Sequence, residues 1–157
     1  MKDVELLPVL DTDLPFFLPL FNCTVPAGFP SPAAESVHEG DLFDLNLLLL
    51  RHPEATYLVR VAGESMSGAE IHAGDLLAVD KQLEADHGSI VVAVVEGDCT
   101  VKRLVCEHGT WWLKPENPAF QPWQIHDAGD VIIWGVVTHV LHEIVPGKLT
   151  HLLRTRD

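Results

Sequence analysis

Positive charge is what this chain has least of. Ten Lys and Arg residues stand against 23 Asp and Glu in 157 residues, a formal net charge of −13. A surface that acidic repels a phosphate backbone, so direct nucleic-acid binding is not expected. No basic run and no helix-turn-helix pattern is present. A basic protein partner, or a partner that itself holds DNA, fits the charge better. Cysteine is also scarce. Cys23, Cys99 and Cys106 are odd in number and match no zinc-binding spacing. Free thiols in a reducing cytoplasm are the simplest reading, with pairing of Cys99 and Cys106 as the alternative. No stretch is long and apolar enough to span a bilayer. The N-terminal "LLPVLDTDLPFFLPLFNCTVPAG" has the outline of a secretion signal, but Asp11, Asp13, Pro8, Pro15 and Pro19 interrupt its apolar part. Asp3 and Glu5 also spoil the basic start that such a signal needs. Internal repeats and low-complexity tracts are missing.

What is present has a globular balance, 47% hydrophobic and 21% charged. The length suits one domain with a real core. Residues 1–40 hold six of the eleven prolines and show no clean periodicity. Proline fixes its own φ and pushes the preceding residue out of the helical region, so "VPAGFPSPAAE" (25–35) reads as extended, exposed chain. The expected organisation is an extended N-terminal arm over 1–40, a β-rich body over 41–145 and a tail over 146–157. "DLNLLLLRHP" (44–53) predicts a short buried helix capped by Asp44 and stopped by Pro53, with a fully apolar strand as the alternative.

From residue 55 the signals are those of strands. "TYLVRVAG" and "GDLLAVD" are strand runs. "GSIVVAVVEGDCTVKRLVCE" (88–107) predicts a hairpin turning at Glu96-Gly97-Asp98. "GTWWLK" (109–114) follows. "DVIIWGVVTHVLHEI" (130–144) predicts a long last strand, bent at Gly135. Short sequential strands linked by hairpins make the fold class mainly β and antiparallel.

Two residues raise a question of chemistry. Ser65 follows a strand in "VAGESMSG". It is an ordinary turn serine or a nucleophile, and a nucleophile needs a positioned base. The G-x-S-x-G elbow fails, because residue 67 is Ser. A Ser-His-Asp triad is formally open with nine histidines, but none has a distinguishing context. Lys102 lies inside the strand "CTVKRLVC", where alternation places Thr100, Lys102, Leu104 and Cys106 on one face. Either its stem snorkels from an exposed edge, the commoner fate, or the lysine is buried, where desolvation favours the neutral, basic form. Serine paired with lysine is a known convergent form of the nucleophile–base pair. His139 and His142, three apart in a predicted strand, point to opposite faces and share no metal there. The remaining histidines sit in polar or turn contexts, and neither metal nor cofactor is expected.

Taken together, "GESM" after a strand, "GDLLAVD", "HGSIVVAVVEGDCTVKRL", "KPENPAFQPW" and "WGVVTHVLH" resemble the self-cleaving serine peptidases related to the LexA repressor. The arm "AGFPSPAAE", the run "DLNLLLLRHPEATYLV" and the lack of a repressor head narrow the resemblance to UmuD-like proteins. It runs from about Ala27 to His142. It implies a compact LexA/UmuD C-terminal-type β body. It further implies that Ser65 is the nucleophile, that Lys102 is the general base and that Ala27–Gly28 is the scissile bond in the chain's own arm. Cleavage stimulated by a RecA nucleoprotein filament, a homodimer and a UmuC-like DNA polymerase subunit as partner are implied in the same way. The competing expectations are a non-catalytic β-fold adaptor and a signal-peptidase-like enzyme acting on other proteins. The arm before the scissile bond and the tail "VPGKLTHLLRTRD" match the family least.

Overall fold

Runs of β-branched residues broken by glycine-containing turns dictate the main unit. In the computed structural model residues 4–7, 17–19 and 42–145 are described. They fall in two units, one holding 4–7 and 52–145, the other 17–19 and 42–51. In chain order the strands are β1 (Val4–Leu7), β2 (Phe17–Pro19), β3 (Leu42–Asp44), β4 (Thr56–Val61), β5 (Leu76–Asp80), β6 (Ile90–Val95), β7 (Asp98–Glu107), β8 (Thr110–Lys114), β9 (Trp123–Ile125) and β10 (Val131–Leu141). One sheet runs in the order β1-β4-β5-β10-β6-β7-β8-β9, with every adjacent pair antiparallel. The expected antiparallel β architecture is therefore present.

The hairpins are made by residues that accept positive φ. Glu96 (φ 51) and Gly97 (φ 88) join β6 to β7. His108 (φ 51) and Gly109 (φ 79) join β7 to β8 in the same way. Two consecutive positive-φ residues give a loop whose twist matches that of the flanking strands. Asp98, expected in the turn, instead opens β7 opposite Val95.

β10 joins the two halves of the sheet. Its first half pairs with β6 and its second half with β5, and the β6 register slips between Ile133 and Gly135. A Cβ at Gly135 would lie 2.7 Å from Val79 Cγ1 and 2.9 Å from the Asp80 carbonyl oxygen. The bend predicted at Gly135 is present, and the lack of a side chain there is what lets the strand change partner.

Two buried clusters make up the core. Val59, Val61, Met66, Ile71, Leu77, Val79, Val92 and Val101 make one buried cluster. Val91, Ala93, Leu104, Leu113 and Val131 make a second.

The second unit differs from expectation. α1 spans only Leu45–Leu49, with the Asp44 carboxylate accepting from the Asn46 N–H at 2.9 Å as its N-cap. The cap was foreseen, but the predicted burial is not found. No residue of α1 is buried, and Leu47 and Leu48 are exposed. A helix of little more than one turn spreads its leucines around its circumference, so no single face hides them all. β3 precedes it and pairs with β2, in the register Phe17↔Asp44, Leu18↔Phe43 and Pro19↔Leu42. β1, β2, β3 and β9 were not foreseen from the sequence.

Candidate active site

β4 ends at Val61, and the chain must then reverse to enter β5. Met66, 2% exposed, and Ile71, fully buried, anchor that reversal in the core. Ser65 lies between strand and anchor. A single 3-10 turn over Ser67–Ala69 follows and ends at Glu70, whose φ is 57.

A second loop holds this turn from outside. The Glu116 N–H donates to the Ser65 carbonyl at 2.9 Å, and the Gly68 N–H donates back to the Glu116 carbonyl at 2.7 Å. Asn117 Nδ2 donates to the Glu64 carbonyl at 2.8 Å. The approach is too close for a side chain, since a Cβ at Gly68 would lie 2.4 Å from the Glu116 oxygen. Glu116 is itself held by an ion pair with Arg103, whose Nη1 also donates to the Gly88 carbonyl at 2.8 Å.

Lys102 reaches the serine from the opposite side of the sheet order. β7 is an interior strand, between β6 and β8, and Lys102 sits opposite Val91. The exposed-edge alternative for this lysine does not apply. Its Nζ donates to Ser65 Oγ at 2.9 Å, to Thr100 Oγ1 at 2.7 Å and to the Val101 carbonyl at 3.0 Å. Ser65 is 4% exposed and Lys102 half-buried, so the pair meets largely out of water. Thr100 shares the Lys102 face by alternation, and its hydroxyl limits where the amine can swing. Sequence reasoning placed Thr100 on that face without giving it a part, and it missed the Glu116–Asn117 clamp.

Histidine and carboxylate pairs lie elsewhere. His52 Nδ1 lies 2.7 Å from Asp80 Oδ2, and His142 Nδ1 lies 2.6 Å from Asp75 Oδ1. Neither pair includes Ser65. His139 contacts Thr138 Oγ1 at 3.0 Å, apart from His142. His72 has its pKa raised by hydrogen bonds to Glu64 and then Glu70, with burial opposing them. Asp80 is buried, which works to raise its pKa, but hydrogen bonds from His52 and the Gln82 backbone hold it below the ordinary carboxylate value. Among the described residues no three His, Cys, Asp or Glu side chains gather as metal ligands would. No helix among them is long and apolar enough to cross a membrane. Ala27 and Gly28 lie outside the described residues, as do Cys23 and the tail over 146–157.

A family model for Peptidase S24-like proteins matches residues 19–138. The protein MucA of Salmonella typhimurium is 46% identical over 127 residues, 80% of this chain and 85% of that protein. The protein ImpA of Shigella flexneri is 40% identical over 132 residues, 79% of this chain and 83% of that one. A LexA repressor from Mycobacterium sp. (strain KMS) is 36% identical over 152 residues, 92% of this chain and 63% of the repressor. The chain belongs to the Peptidase S24-like family of self-cleaving serine peptidases. The UmuD-like character read from its motifs agrees with these relatives.

Proposed function

We propose that this protein is an autocatalytic serine peptidase whose substrate is its own arm, cut between Ala27 and Gly28. The observation that carries the reading is the 2.9 Å contact between Lys102 Nζ and Ser65 Oγ, made between residues 37 apart in sequence. Ser65 Oγ attacks the Ala27 carbonyl carbon while an uncharged Lys102 takes the hydroxyl proton. As the tetrahedral intermediate collapses, the C–N bond breaks and Lys102 passes that proton to the Gly28 nitrogen. Water, with Lys102 again as base, then hydrolyses the acyl-serine and frees the Ala27 carboxylate. Thr100 Oγ1 and the Val101 carbonyl hold the amine on the serine. The small side chain of Ala27 and the bare backbone of Gly28 suit a close approach by the nucleophile.

The family supports a biological setting for this reading. Cleavage is stimulated by a RecA filament in the cytoplasm, and the shortened homodimer serves a UmuC-like polymerase subunit in SOS mutagenesis. The charge of −13 leaves DNA contact to those partners.

Intact mass tests the reading. Purified protein held without any activator is expected to yield a fragment beginning at Gly28, slowly near neutral pH and faster in alkaline buffer. A lysine base works only when uncharged, and an ordinary lysine keeps its proton to a pH of about 10.4. A histidine base would give a rate that levels off near pH ~6.5. A plateau there, or a cut elsewhere in the chain, would contradict the proposal.

A further inference from the structure

The edge beside the Ser65 turn is covered by the chain's own first strand. β1 runs antiparallel to β4 in the register Val4↔Val61, Glu5↔Arg60, Leu6↔Val59 and Leu7↔Leu58. Among the described residues β1 is the outermost strand and lies alone on that side of β4 in the sheet. The direction of the backbone groups follows from the neighbouring turn. The Val61 N–H donates to the Asp75 carbonyl at 2.9 Å, and the Val61 carbonyl accepts from the Gly74 N–H at 2.8 Å. Both polar groups of Val61 therefore face β5. Alternation turns those of Leu58 and Arg60 toward β1. Leu58↔Leu7 and Arg60↔Glu5 are the hydrogen-bonded pairs of this ladder.

β1 precedes Ala27–Gly28, and β4 follows it. The same is true of β2 and β3 in the other unit. Only the unbroken chain makes these pairings intramolecular. A tethered segment meets its site at an effective concentration on the order of a millimolar. Once cut free at micromolar protein, the same strand occupies its site with odds about 10³-fold poorer. Four residues of ladder are too few to offset that loss together with the cost of bimolecular association.

We infer that Val4–Leu7 is a detachable edge strand, which closes the Leu58–Val61 edge in the intact chain and leaves with the arm when Ala27–Gly28 is cut. The inference rests on the proposed cleavage. The edge uncovered is a row of unpaired N–H and C=O groups, a template for antiparallel addition of another extended polypeptide. The occupant it fits is a segment of a partner protein with the pattern of "VELL": apolar, with an acidic residue opposite Arg60. A second processed copy is a poorer occupant, because it has lost its own "VELL" and carries like charge.

Amide hydrogen exchange at Leu58 and Arg60 tests this. In full-length Ser65→Ala protein both amides are expected to be protected. Adding Glu5→Pro, which removes a donor facing β4, should speed their exchange at least ~10-fold. Leu6→Pro removes a donor facing away and should change them far less. In wild-type protein after self-cleavage the two amides should open, and a synthetic peptide of residues 1–9 should restore protection only near millimolar concentration. Equal exchange in the Glu5→Pro and parent proteins would overturn the covering strand. Protection that persists in the cleaved protein without peptide would overturn its release, whether the cause is a retained arm or a second copy. If the mass never changes, the cleavage reading fails and release with it, while the proline comparison still decides whether the strand covers the edge.

Discussion

Residues 56–80 and residues 90–125 contribute opposite things to one sheet. The first stretch holds Thr56, Ser65, Asp75 and Asp80, the buried polar and charged residues among those described. Three of them have a local partner: Thr56 Oγ1 donates to the His52 carbonyl, Asp75 accepts from the His72 N–H, and Asp80 accepts from the Gln82 N–H, while His142 and His52 also meet the two carboxylates. Ser65 instead meets a side chain from the other stretch. The second stretch buries only apolar side chains, among them Val91, Val92, Val101, Leu104 and Leu113. Buried polar groups are tolerated only when partnered, and each partner dictates a direction as well as a contact. One half of the sheet therefore specifies geometry and the other supplies rigid backing, with Lys102 and Asn117 among the polar side chains that cross between them.

The largest expected effect breaks the crossing itself. Ser65→Ala and Lys102→Ala should each slow self-cleavage by roughly 10³-fold or more, and the double variant should be no slower than either. Mass spectrometry over days of incubation checks this, and multiplicative losses would show that the two residues do not act as a unit.

Disturbing the backing and the geometry should give unlike signatures. Leu113 is fully buried in the second cluster, and Leu113→Ala should lower stability by about 2–5 kcal/mol. Cleavage per folded molecule should be unchanged. Gly68→Ala forces a Cβ onto the Glu116 carbonyl and should lower stability by only about 1–3 kcal/mol. It should nonetheless slow cleavage, because it shifts the turn that carries Ser65. Urea unfolding beside cleavage rates separates the two, and the reverse pattern would refute the division of labour.

The smallest effect concerns acid. Asp80 has a folded pKa below its ordinary value, so its contribution is present above the unfolded pKa of about 3.9 and is lost as pH falls through the folded one. Asp80→Asn should cost about 1.5–3 kcal/mol at pH ~7, and the gap from wild type should narrow toward pH ~3. Urea midpoints at the two pH values measure it; a gap that stays constant would exclude the carboxylate as its source.

Much of the body was legible because its physics is local. β-Branched runs and positive-φ turn residues announce β4 to β8, and Gly135 announces the bend in β10. The meeting of Ser65 with Lys102 was not legible from spacing. Alternation left the lysine between an exposed edge and a buried face, and the family resemblance put it beside the serine. The Glu116–Asn117 clamp is made largely by backbone groups, which any sequence supplies, so it leaves no pattern to read. β1, β2, β3 and β9 are three or four residues long, too short for periodicity to speak. The α1 leucines misled because apolar content says nothing about whether a partner surface is near.

β10 also sets an order in time. In the ladder, β4 and β5 lie on one side of it and β6 to β9 on the other. It is the last described strand to be synthesised, and chains fold broadly from the N-terminus as they emerge. A nascent chain thus carries Ser65 and Lys102 well before the strand that splices their two halves exists. If the halves align only once β10 is in place, the 2.9 Å contact is made after that strand has emerged. Under the proposed mechanism, an unfinished polypeptide would carry both reacting side chains before the strand that aligns them.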